Sequence, residues 1–174
     1  LERARGRVNK FQMLQRGGCT TGKLVRTWLN PAMTYGAAVT GMPPRQRHAA
    51  RVIARAALRR GRTSRSLDLD LAVELPGTDP VEVLMSDPLV TWSLAWHDQW
   101  CSHAMMLRTL SWASATCGRA QHPWNEVSGP ATTVVATGVD IGWHMGQHGV
   151  WLTHRGPITV GETSLAEMKL LALE

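Results

Sequence analysis

Pro43-Pro44-Arg45-Gln46-Arg47-His48-Ala49-Ala50-Arg51-Val52-Ile53-Ala54-Arg55-Ala56-Ala57-Leu58-Arg59-Arg60 is the stretch whose reading decides the fold. Its two prolines suit a first helical turn, where the N–H groups have no intrahelical partner. Arg47, Arg51, Arg55 and Arg59 recur at four-residue spacing, which on a helix makes one slowly drifting basic stripe. Ala49, Val52, Ile53, Ala56 and Ala57 fall opposite as a thin apolar face, and Gly61 is a natural stop. No acid interrupts the segment. We therefore expect a helix seated on a packed domain by small residues, with its guanidinium groups turned outward to an anionic partner, phosphate first.

Outward from that helix, the charge of the chain is strongly divided. Residues 1–65 hold fifteen Lys and Arg and one acid, whereas the remainder holds four basic and twelve acidic residues. The first part carries +14 and the rest −8, which points to a polyanion-facing first third. The length of 174 residues suits one compact unit, and 44 % hydrophobic residues are enough for a core. Three cysteines are too few for a disulfide framework and fit a reducing compartment, so we expect an intracellular protein, nuclear or cytoplasmic. No apolar run approaches the ~20 residues that cross a membrane. Leu1 at the start, and Leu173-Glu174 inside a helical pattern at the end, lead us to expect a piece of a longer polypeptide.

The periodicity predicts a mainly α chain with a small C-terminal β-hairpin and a final helix, in three regions: a basic helical region 1–65, a Trp-rich helical region 66–117 packed on it, and a mixed region 118–174. Leu1, Ala4, Val8, Phe11 and Leu14 give a first helix to residue 16, stopped by Gly17-Gly18. Thr20 or Thr21 caps a second, Pro31 kinks or restarts it, and residues 32–39 read as a buried helix ended by Gly41. Ser64 or Ser66 caps a helix through Leu75, while Asp79-Pro80 and Asp87-Pro88 each mark a helix start. The second of these carries Leu89, Trp92, Trp96 and Trp100 on one face, read as core, and a further helix covers about 104–116. Residues 118–130 are loop, and Gly129-Pro130 opens a weak helix of Val134, Val135 and Val139. Residues 149–153 and 157–160 flank His154-Arg155-Gly156 as a hairpin, and Ser164-Leu165-Ala166-Glu167 is a capping box for the last helix.

Few groups carry chemistry. Gly17 to Lys23 has Walker A spacing, but Leu24 stands where the magnesium-binding hydroxyl belongs and no strand precedes it. Asp68 and Asp70 share a face only on a strand, and two-metal chemistry needs more ligands. His97, Cys101, Cys117 and His122 are conceivable zinc ligands at spacings that match no common signature. We expect no metal, no cofactor and no catalytic residue.

Trp28-Leu29-Asn30-Pro31-Ala32-Met33-Thr34-Tyr35-Gly36-Ala37, followed by an Arg-rich helix and Arg65-Ser66-Leu67-Asp68-Leu69, resembles the segment after the polymerase core of LINE-like retroelement reverse transcriptases, most of all the dinoflagellate-type polyproteins. Gly129-Pro130, Ile141-Gly142-Trp143, Thr163-Ser164 and Leu170-Leu171 continue that likeness over about residues 3 to 173. It departs at Ala38, where the family has an acid, and at Leu165, where it has a proline. The polymerase's Tyr-x-Asp-Asp hairpin is absent from the sequence. The resemblance implies a thumb- or connection-like piece, non-catalytic alone, whose partners are the neighbouring polymerase domain and an RNA–DNA or RNA duplex held by its backbone. We assign the contacts to Arg47, Arg51, Arg55, Arg59 and Arg62, with Lys10, Arg16, Lys23 and Arg26 as a second rim. The alternative is a basic helical module for a protein or membrane surface.

Overall fold

The computed structural model describes residues 1–58, 66–76, 79–117, 119–146, 149–159 and 162–173. They form a mainly helical chain with a small antiparallel sheet before its last helix, as expected. Two compact units are drawn through it, at borders other than residues 65 and 117: residues 1–35 with 42–84, and residues 36–41 with 85–174. No helix among the described residues is long and apolar enough to cross a membrane.

The first unit begins with α1 (Glu2–Arg16), which buries Ala4, Val8, Phe11 and Gln15. Gln15 replaces the expected Leu14, which is exposed. After Gly17 and Gly18, α2 (Gly22–Leu24) runs through a π-helical turn (Val25–Leu29) into α3 (Asn30–Thr34). Pro31 has no N–H to give, and the wide turn before it lets the chain stay helical where a break was expected. The break comes instead at Tyr35-Gly36: Gly36 takes φ +79° and Tyr35 is exposed, so residues 32–39 are not one buried helix. Helix α4 (Ala37–Thr40) belongs to the second unit.

Helix α5 (Pro44–Leu58) packs on α1 and on α6 (Leu67–Glu74). Ser66 caps α6, its hydroxyl accepting from the Leu69 N–H at 3.3 Å. The two ends of the α1–α2 connection are stapled to α5: the Gln15 side-chain amide donates to the Ala57 carbonyl at 2.7 Å, and the Thr21 hydroxyl donates to the same carbonyl at 2.9 Å. The Walker-like segment is thus a helix–turn–helix joint, not a strand feeding a phosphate loop.

Helix α7 (Pro80–His97) starts in the first unit and continues in the second. Asp79 caps it, as expected, but Pro88 lies inside the helix and starts no second one. Burial of Ser86 and Leu89 beside the proline keeps the helix continuous at the expense of one backbone bond. Leu89 is buried, and Trp92 and Trp96 pack against the second unit's core. Trp100 lies past the helix end and is exposed, so it leaves the expected core stripe. Helix α8 (His103–Cys117) packs on α9 (Pro130–Asp140), with a short 3-10 turn (Pro123–Glu126) in the intervening loop.

Helix α9 buries every residue from Ala131 to Gly138. Its β-branched residues lower helix propensity, and burial overrides that weakness. Strands β1 (His144–Met145), β2 (Val150–Thr153) and β3 (Gly156–Thr159) pair antiparallel in that order, so the expected hairpin gains a third strand. Trp151 of β2 and Trp143 are fully buried, their rings 6.2 Å apart. Ser164 caps α10 (Leu165–Leu173), its hydroxyl accepting from the Glu167 N–H at 3.2 Å.

Two outcomes follow from this packing. A Cβ at Gly138 would sit 2.5 Å from the Trp151 ring, so Gly138→Ala should cost about 1–3 kcal/mol in urea unfolding despite alanine's better helix propensity; no loss of stability would contradict the α9–β2 contact. Burial pushes the Asp87 carboxyl up, against the opposing pull of Lys169. The folded state then holds the proton more tightly than the unfolded chain. Asp87's contribution to stability therefore falls as pH rises from the ordinary carboxylate range through the raised value. Asp87→Asn should leave stability at neutral pH equal or higher and flatten this part of its pH profile; a steeper profile would refute it.

Candidate nucleic-acid interface

The Arg stripe of α5 lies on the side the helix buries. Buried residues of α5 are Arg47, Ala50, Ile53, Ala54, Ala57 and Leu58, whereas Val52 is exposed. The apolar face is therefore rotated from the one expected, and it includes the flank that carries Arg47, Arg51 and Arg55. Arg47 keeps 7 % of its surface. Arg51 donates through Nε to Asp79 Oδ2 at 2.9 Å and places Nη2 2.7 Å from Asp68 Oδ1. Arg55 pairs more loosely with Asp70, at 3.6 Å. Burial alone would lower the Arg51 pKa, but the hydrogen bonds and charges of Asp68 and Asp79 prevail and raise it. Arg47 is buried and Arg51 and Arg55 are tied to carboxylates of the fold, so the outward-facing stripe is corrected to a half-buried flank with an ion-pair ladder at Arg51 and Arg55. Arg59 and Arg62 lie outside the described residues.

The reason is topological. Segment 43–60 holds no acid, but α6 delivers Asp68 and Asp70 and the α7 cap delivers Asp79. Asp68 and Asp70 were both expected as solvated carboxylates: Asp68 is 78 % exposed and still reaches Arg51, whereas Asp70 is largely covered and pairs with Arg55. Local charge counting sees only neighbours in sequence.

The second rim is different. Lys10, Arg16, Lys23 and Arg26 are all exposed, together with Arg3 and Arg5. Among the described residues no carboxylate pairs with any of the six. Burial of Ala4, Val8, Phe11 and Gln15 turns the α1 cations to solvent, and burial of Val25 and Leu29 does the same for Lys23 and Arg26. Trp28 lies against α1, 46 % exposed, with the Arg7 guanidinium carbon 4.4 Å from its ring centre and the Phe11 ring 5.7 Å away. Such a surface attracts anions and offers an aromatic plane.

Trp28 was absent from the site expected from sequence, as were Arg3, Arg5 and Arg7. The available signal was position: Trp28 is the one tryptophan before residue 92, in a part of the chain that is otherwise basic.

The soft ligands lie elsewhere. His97 is 3.3 Å from the Thr163 carbonyl, Cys101 and His122 are exposed, and Cys117 is buried with its thiol toward the Thr132 carbonyl. Burial, aided by Glu126, pushes the Cys117 thiol up, which keeps it protonated. Among the described residues no three His, Cys, Asp or Glu side chains are placed to share a metal ion.

No family model matches the chain, and no curated protein or solved structure is similar to it.

The ladder predicts a stability effect at Arg51. Arg51→Met should cost about 2–3 kcal/mol in urea unfolding, between the ~0–1 of exposed pairs and the ~3–5 of buried ones. Lys10→Met should change stability by less than about 0.5 kcal/mol. Equal small effects would remove the structural role assigned to Arg51.

Proposed function

We propose that this protein binds nucleic acid through phosphate contacts made by the outer surface of α1 and the α2–α3 helix, without catalysis of its own. The observation that carries this is a set of six exposed cations with no carboxylate partner among the described residues: Arg3, Arg5, Lys10, Arg16, Lys23 and Arg26. Each phosphate neutralised releases condensed counterions, so such a surface gains affinity in proportion to its free cations rather than to its total of basic residues. Arg51 and Arg55, already paired, have little to add. A thumb- or connection-like place beside a retroelement polymerase, as the sequence resemblance implies, is compatible with a non-catalytic helical unit of this charge.

The test is salt dependence. If three or four of these cations each meet a phosphate, affinity should fall with salt at a log–log slope of roughly −3 to −4. Lys23→Glu with Arg26→Glu should weaken binding to every sequence alike and flatten the slope by about two. Helicity should survive, because Glu has a helix propensity near that of Lys and Arg and is favoured in a first turn. Arg108→Glu, in the second unit, should leave binding unchanged. A double Glu variant that binds as tightly as the wild type would end the proposal.

A further inference from the structure

We propose that Trp28 is a stacking platform for unpaired bases, so that the ligand of this surface is single-stranded nucleic acid. This rests on the phosphate-binding function above and adds what that function leaves open, namely which strand state is recognised.

Three observations carry it. Trp28 is half exposed, whereas Phe11 beside it is 1 % exposed, so the indole offers area that its packing does not use. It is also held in place: Arg7 lies 4.4 Å over the ring and the Phe11 ring is tilted by 31° at 5.7 Å. A platform fixed before binding loses little side-chain entropy when a base stacks on it. Finally, Arg7 on the ring has exposed Arg3 and Lys10 one helical turn to either side of it on α1, at i−4 and i+3, so further cations share the face that meets the indole. An aromatic plane amid backbone-tracking cations is what sequence-tolerant binding of a single strand needs.

The competing ligands fit less well. In a duplex the bases are stacked on one another and present no free plane, so a half-exposed indole adds nothing to backbone contacts. A membrane interface asks for apolar residues gathered on one face. Here Arg7 lies on the indole itself, and Leu24 adjoins Lys23, so inserting the apolar residues would drag cations with them.

The experiment uses the full chain at physiological salt with three probes of about 15 units, a length one small site covers: oligo-dT, an abasic strand with the same phosphates, and a blunt duplex. The wild type should bind oligo-dT about 10- to 100-fold more tightly than the abasic strand. Trp28→Leu should erase that preference and leave abasic affinity and salt slope unchanged, while Trp28→Phe should keep part of it. Equal wild-type binding of oligo-dT and the abasic strand overturns the proposal without reliance on any variant, even one that folds poorly. A base preference that persists in folded Trp28→Leu also overturns it. Vesicles of phosphatidylserine bound more tightly than oligo-dT, with that binding lost in Trp28→Leu, would give the platform to a membrane and overturn it too. If the wild type binds none of the three strands, phosphate recognition itself has failed. Tight salt-dependent binding without base preference, by contrast, leaves phosphate recognition standing and removes only the stacking.

Discussion

Arg51 is held by two carboxylates from different parts of the chain, and the first unit is arranged around that contact. Asp79 does two things at once: Oδ1 accepts from the Val81 N–H at 2.9 Å to cap α7, and Oδ2 takes the Arg51 Nε–H. Asp68, from the first turn of α6, reaches the same guanidinium. One side chain of α5 thereby fixes the start of two later helices. A half-buried pair of this kind adds modest net stability, because desolvation offsets most of its attraction. Breaking it leaves carboxylates facing one another near the protein surface. Once Arg51 points inward, Arg47 and Arg55 follow on the same flank, and Val52 is carried outward.

That rotation changes what the charge of the chain means. Divided by compact unit rather than at residue 65, the first unit has fifteen cations and six acids, +9, and the second −3. Part of the basic excess is spent inside. Paired charges act on a distant anion as dipoles, whose field falls off faster than that of a free charge. The unpaired cations on α1 and the α2–α3 helix therefore attract a distant anion more strongly than the paired Arg51 and Arg55 do.

What was legible in the sequence depended on how local its cause is. Ser66 and Ser164 were recognisable as caps because a hydroxyl and an N–H three residues on suffice. The β2–β3 turn at His154-Arg155 was equally local. Asp87-Pro88 misled because the same dipeptide opens a helix in water and is tolerated inside a buried one. The exchange of Leu14 for Gln15 at the end of α1 has a tertiary cause, the Ala57 carbonyl supplied by α5. So does the burial of α9, whose valines and threonines resist helix formation until the core encloses them. For the interface, the second rim was visible as cations off an apolar face, whereas the paired state of the α5 stripe required acids fifteen to twenty-eight residues away.

In the proposed interface, charge and aromatic surface divide the work by range. Free cations act across about one Debye length, roughly 8 Å at physiological salt, and treat every phosphate alike. Trp28 acts only on contact and only on a base whose face is open. Arg7 joins the two, since a guanidinium 4.4 Å from the indole centre keeps its charge while it covers part of the ring. Lysine at position 7 would preserve the charge but not the broad guanidinium group that lies over the ring. The choice of arginine there is thus explained by the ring beside it, whereas at Lys10 or Lys23, where no ring lies across the side chain, a point charge is enough.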